Sequence, residues 1–156
     1  MASFSKAVLS LKVPPYSSIE YCGIQRKYFP KWEGWKIIDS GEIPDEELVD
    51  DFYNIFFWSK LKGDEIKSQE LAELMFIFSV TNGKRKLIDK LDRVLGLESN
   101  GLLLSSTVSR INDTDTKYLF LHLYSEFAEF CIMMDKKKDF CKLLKIYNKF
   151  TETFLS

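Results

Sequence analysis

The chain has 156 residues, which suits one domain of ordinary size. Hydrophobic residues make up 46% of it and aromatic residues 15%, so a core can form without disulfide or metal staples and extended disorder is excluded. Twenty-two basic residues against 23 acidic ones leave a formal charge of −1, which supplies no bulk attraction to nucleic acid or to an anionic membrane.

In chain order, Ser5 to Leu11 reads as a short helix. Val13-Pro14-Pro15 stops it, because proline lacks an amide donor and pushes its predecessor out of the helical region. Residues 13–23 then form the one place for a short hairpin or extended segment. Ile24 to Trp32 reads as a second short helix, and Glu33 to Ile43, with Gly34 and Gly41, as a loop. Pro44 opens the next helix, with Asp45, Glu46 and Glu47 in its first turn complementing the positive helix end. Leu48, Phe52, Ile55 and Phe56 fall at the spacing of one buried stripe, and Gly63 ends the element.

Ser68 is a good N-cap for a helix with the apolar face Leu71, Leu74, Met75 and Phe78, terminated by Asn82-Gly83. Leu87, Leu91 and Val94 or Leu95 mark a further helix that Gly96 closes, and Asn100-Gly101 is a turn. A short helix follows near Ser106 to Ile111. Thr114 or Asp115 caps a long one reaching about Met134. Lys136-Lys137-Lys138 is a solvated turn, and a last helix runs from about Asp139 to Phe154. The fold class expected is mainly α, a lysozyme-like α+β arrangement of about seven helices and one hairpin in a single domain over 1–156.

Few residues point to chemistry. His122 is the only histidine. It excludes a His–His metal pair and reads as a packed or partly exposed structural side chain. Cys22, Cys131 and Cys141 are odd in number and lack short spacing, which argues against a disulfide framework and against zinc. They read as reduced, semi-buried thiols, with Cys131 and Cys141 able to meet across a helix–helix turn. No cofactor and no metal is expected. Lys84-Arg85-Lys86 reads as an exposed helix start, with a phosphate or glycan contact as the second reading.

Ala7 to Leu11 is too short for a signal-peptide core, so synthesis in the cytoplasm without a signal peptide is expected. The apolar stretch Tyr118 to Met134 carries His122, Glu126 and Glu129, so no membrane insertion is expected. Carboxylates are plentiful, mostly on helix faces, which keeps glycoside hydrolysis open: that chemistry needs a protonated carboxyl beside the leaving oxygen and usually a second carboxylate.

A series of short segments carries a family resemblance along nearly the whole chain. They are Gly23-Ile24-Gln25, Phe57-Trp58, Asp64 to Gln69, Thr81-Asn82-Gly83, Val94 to Gly101 and Thr107-Val108. In order and spacing they resemble the glycoside hydrolase family 108 muramidases, phage-type and bacterial enzymes of lysozyme-like fold. That family carries Glu-Gly-Gly after its first helix, then Gly-Ile-Thr, an aromatic-Trp pair, Asn-x-Gly, Leu-Gly and a final helical pair.

The departures fall on the chemistry. Ser10 to Tyr16 stands where the family has its glutamate and glycines, and the simplest register puts Lys12 at the glutamate position. A lysine does not replace a neutral carboxylic acid as proton donor, and its charge opposes an oxocarbenium-like transition state. Leu102 to Leu104 replaces a usual glycine, and Lys138 to Tyr147 lacks the family's Gly-Trp.

The resemblance therefore implies a divergent member that is a non-catalytic, structural or peptidoglycan-binding domain. Its partners would be peptidoglycan or protein components of a larger assembly, by analogy a phage tail or contractile injection apparatus, and not nucleic acid. The alternative is an active N-acetylmuramidase using a relocated acid, for which Glu20 is the hairpin's carboxylate. A second alternative is a helical protein–protein adaptor. Tyr16, Tyr21, Trp32, Trp58 and Asn82 are the expected glycan- or partner-binding residues, with Tyr28 and Trp35 as further aromatic candidates.

Overall fold

The computed structural model describes residues 1–8 and 17–155. Lys12, Tyr16 and the remainder of the segment expected to hold the family glutamate lie outside the described residues. Those residues contain eight α-helices and one two-stranded antiparallel sheet, the mainly α arrangement with a short hairpin that the sequence implies.

Helix α1 (Phe4–Val8) packs on the central helix through Phe4, whose ring meets Trp58 at 5.9 Å and Phe76 at 6.0 Å. Strands β1 (Glu20–Tyr21) and β2 (Ile24–Gln25) pair Glu20 with Gln25 and Tyr21 with Ile24. Cys22 and Gly23 both take positive φ, 47° and 81°, the left-handed turn that matches the twist of a tight hairpin. The helix expected over Ile24 to Trp32 does not form. Ile24 is spent on the strand, and hydrogen-bonded turns, such as Tyr28 N–H to the Gln25 carbonyl at 3.0 Å, carry the chain to Pro30.

The loop expected over Glu33 to Ile43 holds helix α2 (Gly34–Asp39) instead. Gly34 misled the reading because it serves close approach: the Trp32 ring occupies the place a Cβ would take. Helix α3 (Glu46–Tyr53) starts at Asp45, whose carboxylate accepts the Leu48 amide at 2.8 Å.

It runs on as a π-helical turn, Asn54–Trp58, and a 3-10 turn, Ser59–Leu61. The expected stripe fails here, since Ile55 and Phe56 are exposed while Val49, Tyr53 and Trp58 are buried. Buried positions spaced four and then five residues apart follow from the wider π turn, which rotates Trp58 inward and Ile55 and Phe56 outward.

Helix α4 (Gln69–Asn82) is capped by the Ser68 hydroxyl, which accepts the Leu71 amide at 3.2 Å. Residues 71 to 79 are all buried, so the helix is sheathed on every side rather than along one face. Around it stand α5 (Lys84–Leu95), α7 (Thr116–Met133) and α8 (Lys137–Phe154), with α6 (Ser105–Asp113) bridging α5 and α7. Asp115 caps α7, and Gly96 closes α5. Phe120 and Phe150 stack at 3.8 Å between α7 and α8, and Lys90 pairs with Glu126 at 2.6 Å between α5 and α7. No helix among the described residues is long and apolar enough to cross a membrane.

Candidate functional site

The hairpin is held against the helical body at its turn. Tyr53 on α3 donates its hydroxyl to the Cys22 carbonyl at 2.6 Å, and a Cβ on Gly23 would lie 2.8 Å from that hydroxyl oxygen. The phenol sits well above its ordinary pKa chiefly because it is buried; Cys22 and the Glu20 carboxylate add to the shift. Arg26, just after β2, makes a second tie, a bidentate pair with Asp39 on α2 at 2.7 and 2.6 Å. It also donates to the Ser18 carbonyl at 3.2 Å.

Between the turn and the body lies a pocket of about 240 Å³. Gly23 and Gln25 form its hairpin side, Phe29, Tyr53 and Phe57 its aromatic wall, and Thr81 and Lys136 its far rim. Lys136 is not the solvated residue expected of a lysine turn. It is half-buried, donates its ammonium to the Thr81 carbonyl at 3.4 Å and lies 4.8 Å above the Phe130 ring. No carboxyl side chain lines this pocket among the described residues. It thus presents rings, an amide, a hydroxyl and a cation. Such a set can stack on and hydrogen-bond a polar ring.

The expected site residues are dispersed around this pocket rather than gathered in it. Glu20 is exposed and, paired across the hairpin with Gln25, lines a neighbouring depression with Ile19, Gln25, Arg26 and Lys27, so that Gln25 belongs to both hollows. Tyr21 is buried and donates to the Pro44 carbonyl at 3.2 Å. Trp32 is buried edge-on against Trp35 at 5.1 Å, and its indole nitrogen has no hydrogen-bond partner. Trp35 is buried too and donates to the Phe29 carbonyl at 2.8 Å.

Trp58 lies in the core, where its indole N–H meets Asp64 at 2.9 Å and Gly63 lies against its ring. Asn82, half-buried at the end of α4, keeps a buried side-chain oxygen without a partner beside the pocket's Thr81. Tyr28 is exposed and belongs to the pocket mouth.

Sequence reasoning missed Tyr53, Phe29 and Lys136. Tyr53 and Phe29 had no motif to mark them, and Lys136 was masked by its two lysine neighbours. Gly23, Phe57 and Thr81 each stood in a segment singled out by the family resemblance, and the fold brings those three segments to one pocket. No group of three or more metal-ligating side chains occurs among the described residues. The three cysteines stand as thiols, Cys22 and Cys131 buried and Cys141 exposed.

Comparison with known proteins bears on the fold. No family model matches the chain, and no curated protein matches it. Among solved structures, that of Brucella abortus SagA superposes with a TM-score of 0.67 at 16% identity, covering 93% of this chain and 94% of that one. The likeness extends over essentially the full length of both chains. At this identity it speaks for architecture alone.

Proposed function

We propose that this chain is a lysozyme-like domain that recognises rather than cleaves. It would serve as a structural or peptidoglycan-binding part of a larger assembly, such as a phage tail or contractile injection apparatus. One observation carries the reading: the pocket that unites the Gly23, Phe57 and Thr81 segments has aromatic walls and an ammonium, and no carboxyl side chain among its described lining. Glycoside hydrolysis through an oxocarbenium-like transition state needs a proton donor on the leaving oxygen and negative charge near the ring. A cation at the rim works against both.

The pocket's volume is below the roughly 300–1,000 Å³ of sites that enclose a drug-sized ligand. It would take one ring against Phe29 and Phe57, with Gln25 and Thr81 as polar partners. Glu20 is the acid that an active muramidase would have to use. Its charge reaches Tyr53, yet its side chain is exposed and does not line the pocket.

The test is incubation of the purified chain with insoluble peptidoglycan. We expect it to sediment with the polymer, to release no soluble fragments, and to lose most of its sedimentation in Gln25→Ala. Fragment release by the wild type that disappears in Glu20→Gln would establish the muramidase alternative instead. A chain that neither sediments nor releases fragments, but migrates in a large particle in native extract, would place its role in assembly alone.

A further inference from the structure

Among the described residues, Lys136 is the one charged side chain that lines the pocket beneath the hairpin turn. Its ammonium is half-buried and can donate three hydrogen bonds. One goes to the Thr81 carbonyl at 3.4 Å, and the Phe130 ring lies 4.8 Å from the charge. Both partners are neutral. The acids beside it in sequence are engaged elsewhere, Asp135 with Lys137 at 3.8 Å and Asp139 with Lys142 at 3.5 Å. A cation partly withdrawn from water without a counter-charge costs free energy, and an anion entering the pocket would offset it.

Phe130 holds a second cation. Lys86, exposed in the first turn of α5, places its ammonium 5.2 Å from the same ring. Two ammoniums 4.8 and 5.2 Å from one centroid stand at most about 10 Å apart, so their fields add at the rim. Glu129, exposed beside Phe130 on α7, forms an ion pair with neither. On the hairpin side, Glu20 reaches Tyr53 by its charge but does not line the pocket, and Lys27 lies 5.3 Å from the Tyr28 ring at the mouth. The pocket thus has a charged end at Lys136 and a neutral one at Gly23 and Gln25.

We infer that Lys136 makes the pocket selective for a sugar ring that carries a carboxylate. The ring lies against Phe29 and Phe57, its hydroxyls meet Gln25 and Thr81, and its carboxylate accepts from Lys136, with Lys86 strengthening the attraction. The inference deepens the wall-binding reading and rests on it for the sugar character of the ring. Selectivity arises because a neutral sugar of the same shape leaves the ammonium without its counter-charge. Two sources carry this chemistry: the lactyl ether of a muramic acid and the ring carboxylate of a uronic acid.

Amide NMR of the full chain tests it, with N-acetylmuramic acid titrated against N-acetylglucosamine and glucuronic acid against glucose. We expect the Gly23, Gln25 and Thr81 amides to shift, and at least one acid to bind about tenfold more tightly than its neutral counterpart. Lys136→Met should erase that preference, Lys136→Arg should keep it, and Lys86→Met should reduce it by less. A preference lost only in Lys136→Met supports the proposal, and the acid that binds more tightly identifies the source. Equal binding of acid and neutral sugar overturns it, as does a preference that survives Lys136→Met. Pocket amides that ignore both acids up to tens of millimolar, in a chain that still sediments with peptidoglycan, overturn this inference and leave the wall-binding reading standing. Acid binding through Lys136 in a chain that does not sediment does the reverse.

Discussion

Arg26 and Asp39 show how one pair of side chains holds the hairpin in place. The hydrogen bond from Arg26, aided by its charge, keeps the Asp39 carboxyl below its ordinary value of 3.8. A carboxyl whose pKa is lowered by folding stabilises the fold above the unfolded value, and that contribution fades as pH falls through the lowered one. The tie should therefore be fully made at neutral pH and released only in acid below about pH 4.

Arg26 also lies 5.3 Å above the Trp35 ring, so the release should appear as a change in tryptophan emission over that window. Asp39→Asn should remove this step while leaving far-ultraviolet circular dichroism unchanged. Cys131 offers a second residue-scale prediction. Burial, with a smaller contribution from Asp139, pushes its thiol up to about 11. A disulfide reagent at pH 8 should label the exposed Cys141 within minutes and reach Cys131 only on unfolding, as mass spectrometry of the labelled peptides would show.

At the scale of elements, the caps and breakers were the most legible part of the sequence. Ser68, Asp115, Asn82-Gly83 and Gly96 act where their chemistry placed them, because capping depends on a few neighbouring atoms and little on tertiary context. Two kinds of element were hidden. The π turn over Asn54–Trp58 shifts the buried phase by a residue, and a pattern reader that assumes 3.6 residues per turn puts Ile55 and Phe56 inside. Helix α2 was concealed by Gly34, which reads as a loop breaker but makes room for the Trp32 ring.

The π turn also brings Trp58 and Tyr53 beside Phe76 of α4, at 5.8 and 6.1 Å. Phe76→Ala should thus cost about 3–5 kcal/mol, measured by chemical denaturation, because Phe4, Tyr53 and Trp58 all lose a ring that they pack on. Leu144→Ala, on a partly exposed site of α8, should cost less than half as much. A smaller loss at Phe76 than at Leu144 would mean that the aromatic cluster is not central to the fold.

For the whole molecule, the mainly α class, the single hairpin and the order of most helices followed from periodicity and turn chemistry, which act locally. The candidate pocket did not, because it draws on positions 23 to 136 and only the tertiary fold brings these together. Family-like segments supplied three of its walls, while Tyr53 and Lys136 carry no local sign of their place. The hairpin was expected over 13–23 and forms at 20–25; the prolines expected to end the first helix lie outside the described residues, and their chemistry does not say where pairing begins. Aromatic content also misdirected the search for a site. Most of the rings proposed to meet a ligand are spent on packing, and of those among the described residues Tyr28 alone is exposed.

The all-round sheathing of α4 bears on how the chain matures on the ribosome. Its buried residues 71 to 79 are synthesised when roughly half the polypeptide has been made, yet the Phe120–Phe150 stack and the Glu73–Lys149 pair at 3.2 Å that help to close its far side await the end of α8. Through the synthesis of some seventy further residues, about 5 s at common elongation rates, this helix has a greasy flank and a carboxylate with no lysine to meet it. A nascent chain in that condition is a natural client for holding chaperones, and slow codons placed before α8 would lengthen its exposure rather than help it fold.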